Sequence, residues 1–222
     1  MADPIISGQR CQRCRLVARL CYCQKIKLLT STTRVTVVMH ASERCRSSNT
    51  ARVLEMALTD CEVLLVGEKD NPFKGIRLQQ DEANFVLYPE PSAAALSTEY
   101  LKRTISASIR RVHLIVPDGS WTQAKRIVHG NIHLRGIPRV QLAELAPSAY
   151  LLRKNGRTGG VCTAEAVAHA LGEIEGEQLK NELLHNFTIM RDNVLESHYS
   201  RWCTAEESAK HYYLTHKPLV RG

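Results

Sequence analysis

The apolar positions of this chain follow two alternating rhythms. Short continuous runs bounded by turn residues predict buried strands: "RVTVVM" (34–39), "EVLLVG" (62–67), "NFVLYPEPSA" (84–93, the strand ending at Pro89) and "RVHLIV" (111–116). "PRVQL" (138–142) predicts a shorter one. Between the runs the spacing changes to three and four. "NTARVLEMALTD" (49–60) aligns Val53 with Ala57 and Leu54 with Leu58, "STEYLKRTISASI" (97–109) predicts a second helix, and a third follows Pro117. From Cys162 to His185 the pattern is again helical, and it continues towards His198. Strands alternating with helices predict an α/β domain with a mostly parallel sheet flanked by helices. In such sheets, ligands sit beyond the carboxyl ends of the strands. "LRKNGRTGG" (152–160) reads as a flexible basic loop, and no repeat or low-complexity tract is present.

Composition narrows the class. A chain of 222 residues suits one domain, or one domain with a small appendage. With 44% hydrophobic and 23% charged residues it can bury a core. The apolar runs are far too short to span a membrane, and "MADPIISGQRCQRC" lacks the basic and apolar regions of a secretory leader. A cytoplasmic protein with no membrane contact and no obligate protein partner is expected. The formal net charge of +8 favours a polyanionic partner such as nucleic acid. The chain carries no G-x-G-x-x-G, P-loop, H-E-x-x-H or G-x-S-x-G, which removes several common enzyme classes.

Four of the eight cysteines fall within thirteen residues, "CQRCRLVARLCYC": Cys11, Cys14, Cys21 and Cys23. A C-x-x-C pair followed by a C-x-C pair brings four thiolates to one ion, which satisfies tetrahedral Zn²⁺ and leaves no open position. A structural zinc clip is therefore expected over residues 1–28, with an iron–sulfur cluster or free thiols as the alternatives. Arg13, Arg15 and Arg19 between the pairs would make the clip basic. Cys45, Cys61, Cys162 and Cys203 have no ligand spacing and read as ordinary thiols; His40, His113, His129 and His133 likewise read as structural.

The densest chemistry lies in "RVHLIVPDGSWTQAKRIVHG" (111–130), where Asp118, Gly119, Ser120 and Trp121 follow the strand. Two readings stand. Asp118 or Ser120 caps the helix and Trp121 is core, or the group forms a ligand rim where an aromatic stacks on a base.

Resemblance weighs on that choice. This stretch resembles the Asp-x-Thr/Ser-Trp signature of the DTW-domain family, with Ser120 in the hydroxyl position. The cysteine clip, "SNTARVLEMAL" (48–58), "VLYPEPSA" (86–93) and "SAYLLRK…CTAEAVAHAL" (148–171) resemble further family segments, in the same order. The resemblance implies a tRNA-uridine aminocarboxypropyltransferase on a SPOUT-like fold, with residues 29–222 as the S-adenosylmethionine-binding catalytic domain. The donor's 3-amino-3-carboxypropyl group would move to N3 of a tRNA uridine, in the variable loop for the bacterial-type members, releasing methylthioadenosine.

On that resemblance Asp118 is the candidate base, or the acceptor orienting N3. Leu87, Tyr88 and Pro89, Pro117, Gly119, Ser120 and Trp121, with Thr163 and Glu165, are the candidate cofactor-binding residues. Arg153 would pair with the methionine carboxylate. Cys162 stands where a capping serine is common and caps poorly, which would leave Glu165 without its usual partner. Arg44, Arg46, Asn49 and Arg52 at a helix start, Lys125 and Arg126, and the loop residues Lys154 and Arg157 are candidate RNA contacts. The tail "HYSRWCTAEESAKHYYLTHKPLVRG" (198–222) suits either RNA contact or docking on the core. A SAM-dependent RNA methyltransferase and a non-catalytic zinc-containing RNA-binding protein are the competing readings.

Overall fold

A computed structural model describes residues 10–199 except 69, 71, 107, 144–147, 149 and 151–159. Six strands form one sheet: β1 (Arg34–His40), β2 (Cys61–Val66), β3 (Glu82–Leu87), β4 (Ala94–Ala95), β5 (Arg111–Asp118) and β6 (Arg139–Gln141). Their order is β2-β1-β5-β3-β6-β4, and every pairing is parallel. Five α-helices connect or flank them: α1 (Ala51–Ala57), α2 (Thr98–Thr104), α3 (Trp121–Gly130), α4 (Thr163–Glu175) and α5 (Glu177–Tyr199).

Alternation along each strand sorts the side chains to two faces. Val35, Val37 and Met39 of β1, Phe85 and Leu87 of β3, and Val112, Leu114 and Val116 of β5 face the main core, with residues of α1, α2, α4 and α5. Val38, Val86 and Ile115 face the other way, against Ala124, Ile127 and Val128 of α3. Burial on both faces is why these strands read as continuous apolar runs. The cysteine clip packs on this core. Leu16, Leu20 and Tyr22 lie in the same core as α1 and α5, and Arg52 of α1 donates to the Arg13 carbonyl at 2.6 Å.

Two expectations need correction. Strand β5 does not stop at the proline: Pro117 and Asp118 pair with Val38 and Met39 of β1. The ladder to β3 has already ended at Ile115, so this is edge-like backbone on one side, where proline is tolerated. The helical pattern after Cys162 is broken at Gly176, whose φ of 106° closes α4 and lets α5 start in a new direction.

The amino-terminal half of the α3 face is polar. His113 is fully buried, bonded to Thr36 Oγ1 at 2.8 Å and Asn84 Oδ1 at 2.7 Å. Around it Arg34 pairs with Glu62 and Glu82, and Arg111 with Glu82 and Asp60. Burial, helped by the Arg34 charge, holds the His113 pKa down at about 4. The unfolded chain therefore binds the extra proton first. The stability tied to neutral His113 is complete above about pH 6.5 and is lost as pH falls towards 4. Urea melts from pH 7 to pH 4 are expected to show this slope, and it should flatten in His113→Asn.

Candidate functional site

Three sequence-distant segments meet at the carboxyl edge of β5. Asp118 is the last residue of that strand and is fully buried. Its side chain points to the main-core side. Oδ2 accepts from Asn49 Nδ2 at 2.6 Å, and Oδ1 accepts from Thr163 Oγ1 at 2.5 Å. Asn49 lies in the turn before α1, and its own Oδ1 accepts the Ala51 amide at 3.0 Å. Thr163 is the first residue of α4, and the next amide, Ala164 N–H, donates to Thr50 Oγ1 at 3.3 Å. One carboxylate thus fastens the starts of two helices to the end of the central strand. Hydrogen bonds to an ionised acceptor are roughly twice as strong as neutral ones.

The helix after Asp118 is capped by another residue. Ser120 Oγ accepts the Gln123 amide at 3.3 Å, and Gln123 Oε1 accepts the Ser120 amide at 2.7 Å, which is a capping box. Of the two capping candidates, Ser120 does the capping and Asp118 reaches elsewhere. Gly119 is needed for space, because a Cβ there would lie 2.9 Å from Gln123 Cβ. Trp121 is half-buried beside the α3-side core.

Glu165 has partners after all. Its Oε2 accepts the Cys162 amide at 2.8 Å and the Ser148 hydroxyl at 2.5 Å. Ser148 Oγ also accepts the Tyr150 amide at 3.0 Å, and Tyr150 donates its hydroxyl to the Ser48 carbonyl. Cys162 is buried, and burial pushes its thiol above the ordinary range. In the neighbouring loop, Leu87 and Tyr88 are packed inward and Pro89 is exposed. Tyr88 N–H donates to the Val140 carbonyl at 2.9 Å. Glu90 holds that loop, accepting from Arg139 at 2.8 Å and Ser92 at 2.9 Å.

The candidate RNA contacts divide. Arg44, Arg46, Lys125 and Arg126 are exposed; Arg44 pairs with Glu68 and Arg46 with Glu43. Asn49 is corrected: it is 1% exposed and faces Asp118, out of reach of a polyanion. Arg52, half-buried, donates to the carbonyls of Arg13 and Arg44, each at 2.6 Å, and so ties the clip to the turn before α1. Arg153, Lys154, Arg157 and the 200–222 tail lie outside the described residues. Sequence reasoning missed Asn49 as the partner of Asp118. The one available signal was that both belong to family-like segments.

The four clip sulfurs lie within 4.8 Å of one another. Cys11 and Cys23 Sγ are 3.6 Å apart, and Cys14 and Cys21 Sγ 3.7 Å. Zn–S bonds of about 2.3 Å in a tetrahedron put sulfurs about 3.8 Å apart, so the donor set fits that ion. Arg15, in the left-handed region at φ 65°, turns the chain after Cys14.

Comparison with known proteins gives the same grouping. The family model described as DTW domain matches residues 8–195. "tRNA-uridine aminocarboxypropyltransferase 2" of Drosophila melanogaster is 24% identical over 78% of this chain and 70% of its own length. The Mus musculus protein of the same name is 27% identical over 78% of this chain and 59% of its own length. The solved "SAM-dependent rRNA:acp-transferase Tsr3 from Vulcanisaeta distributa" aligns at 22% identity and a TM-score of 0.44, covering 82% of this chain and 88% of that one. Among the described residues, no helix is long and apolar enough to cross a membrane.

Proposed function

The chain belongs to the DTW-domain family, and from that premise we propose that it is a tRNA-uridine aminocarboxypropyltransferase that uses S-adenosylmethionine as donor substrate. The observation that carries the proposal is the junction at Asp118. The segments that resemble the family, around Asn49, Asp118 and Thr163–Glu165, are far apart in sequence and bonded to one another at the carboxyl edge of a parallel sheet. That edge is where α/β sheets take ligands.

In the balanced reaction, the N3 lone pair of uridine forms a bond to the terminal carbon of the aminocarboxypropyl chain. The S–C bond to that carbon breaks, its electron pair stays on sulfur, and neutral methylthioadenosine leaves. The N3 proton goes to a base. The 86–93 and 117–121 loops, with Thr163 and Glu165, are the proposed grip on the donor, largely through backbone groups. This grip fits the inward packing of Leu87 and Tyr88 and the absence of a familiar SAM fingerprint. Arg153 of the 152–160 loop is the proposed partner of the donor carboxylate. Asp118 is the proposed catalytic carboxylate. With both oxygens already accepting, it acts first as the acceptor that fixes this edge.

We further propose that residues 1–28 form a zinc-binding clip, with Cys11, Cys14, Cys21 and Cys23 as ligands and the metal in a structural role. The exposed Arg44, Arg46, Lys125 and Arg126, together with Lys154 and Arg157, would contact tRNA phosphates. Purified protein incubated with S-adenosylmethionine and tRNA is expected to add the mass of an aminocarboxypropyl group to uridine and to release methylthioadenosine, both read by mass spectrometry of the nucleosides. An added methyl group would make the protein a methyltransferase. Unchanged nucleosides without methylthioadenosine would leave an RNA-binding protein.

A further inference from the structure

A cleft of about 460 Å³ lies beside the 118–121 turn, at the carboxyl ends of β1 and β2. That volume falls within the roughly 300–1,000 Å³ of small-molecule sites. His40, Gly67, Phe73, Gln123, Arg126 and His133 are among its lining residues. Neither His40 nor His133 showed ligand spacing in the sequence, and the reaction as described so far uses neither.

His40 is the last residue of β1, and its side chain lies on the α3 side of the sheet, opposite to Asp118. It packs directly on the turn: its Cβ is 3.5 Å from where a Gly119 Cβ would be. Its tautomer is fixed by its neighbours. Gln123 Oε1 is held by the Ser120 amide, so the Gln123 amide nitrogen faces His40 Nδ1 at 3.1 Å and donates to it. The Ser42 backbone N–H donates to the same Nδ1 at 3.2 Å. A ring nitrogen that accepts carries no proton, so the neutral imidazole holds its proton on Nε2. Nε2 is turned to Gly67, where an added Cβ would come within 3.1 Å of it. The remaining wall supplies rings and charge. Phe73 and His133 meet edge to face with centroids 5.7 Å apart, and Arg126 stands exposed on α3.

An oriented N–H donor, aromatic rings and a guanidinium in one cleft match a nucleotide: a base carbonyl for the donor, a ring face for stacking and a phosphate for the arginine. We propose that this cleft is the acceptor subsite for an RNA pyrimidine. In it, His40 Nε2–H donates to a uracil carbonyl oxygen, Phe73 and His133 flank the base, and Arg126 holds the adjoining phosphate. This inference rests on the transferase reading for its chemistry. As N3 loses its proton to solvent water at the open mouth of the cleft, negative charge spreads to the uracil carbonyl oxygens, and a donor already aimed at one of them stabilises that charge. His40 is then a catalytic residue, and Gln123 with Ser42 are the positioning residues that set its tautomer.

Two isosteres separate the functional nitrogen from the structural one. Gln at position 40 can place an amide nitrogen near Nε2, whereas Asn places its amide near Nδ1. With S-adenosylmethionine and tRNA, His40→Asn is expected to lower kcat at least about thirty-fold with the KM for the donor unchanged, while His40→Gln stays within several-fold of wild type. The reverse ranking would mean that His40 matters only through its Nδ1 contacts, and would overturn the proposal. A second readout does not depend on transfer. In the full-length, zinc-loaded protein, ¹³C-labelled histidine rings are titrated with a uridine hexanucleotide. The His40 and His133 signals are expected to move, and to move at higher RNA concentration in Arg126→Ala. If they stay still while transfer proceeds, the subsite is refuted. If they move while no aminocarboxypropyl group is ever transferred, the transferase reading fails and the subsite stands.

Discussion

Replacing Cys14 by serine is expected to empty the proposed zinc site and lower the melting temperature by roughly 10–15 °C. The reason lies in what the clip covers. Cys14, Leu16, Leu20 and Tyr22 are buried in the same core as α1 and α5, and each large apolar side chain kept from water contributes about 1.5–3 kcal/mol. Against this stands the entropy regained when a short segment is released, about 1–2 kcal/mol per residue for the backbone alone. On burial alone a segment of this length is marginal, and ligation of the proposed zinc would supply the difference. A net loss of about 3–5 kcal/mol converts to that fall in melting temperature at about 2–4 °C per kcal/mol for a chain of this size. The Arg52 bond to the Arg13 carbonyl would go with it. Elemental analysis should find one zinc per chain in the wild type and none in Cys14→Ser. The exposed Cys45, replaced by serine, should change neither metal content nor melting. Metal-free protein that melts like wild type would remove the clip from the stability of the fold.

The parts of the fold legible in the sequence are those with a local pattern. Strands β1, β3 and β5 announce themselves because both faces are buried, and the start of α3 because proline, glycine and serine precede it. Strand β4 is two residues pairing along β6, and nothing in "AA" signals that. Pro117 reads as a stop because sequence cannot show that the β3 ladder has ended beside it. The site is legible in another way. Resemblance picks out Asn49, Asp118 and Thr163 as members of family-like segments, but not that one touches the next. Their bonds cross 69 and 45 residues of chain, and a periodicity carries no such range. An asparagine at a helix start and an arginine one turn on look like anion ligands. Only the packing of α1 shows Asn49 turned inward and Arg52 donating to two carbonyls.

The largest effect on activity is expected at Asp118, where two substitutions separate charge from geometry. In Asp118→Asn, Asn49 Nδ2 still needs an acceptor, because its own carbonyl oxygen is held by the Ala51 amide and the group cannot flip. The new side-chain oxygen must therefore face Asn49, and the new amide nitrogen faces Thr163 Oγ1. A hydroxyl can rotate and accept, so both contacts survive without the charge. Hydrogen bonds to a charged group are worth about 1.5–3 kcal/mol against about 0.5–1.5 for neutral ones, so Asp118→Asn should cost about 1–3 kcal/mol and fold with its zinc. Its rate of aminocarboxypropyl transfer is expected to fall at least about a hundred-fold, the scale of loss when reacting groups are misplaced by about 1 Å. Asp118→Ala strands two buried donors at about 1–3 kcal/mol each and frees the starts of α1 and α4. It should therefore lose stability as well as rate. The pair is read by melting temperature, zinc content and methylthioadenosine released per minute. If Asp118→Asn turns over within threefold of wild type while Asp118→Ala does not, the carboxylate is a strut for Asn49 and Thr163, and the group that takes the N3 proton must be sought on the other side of the 118–121 turn.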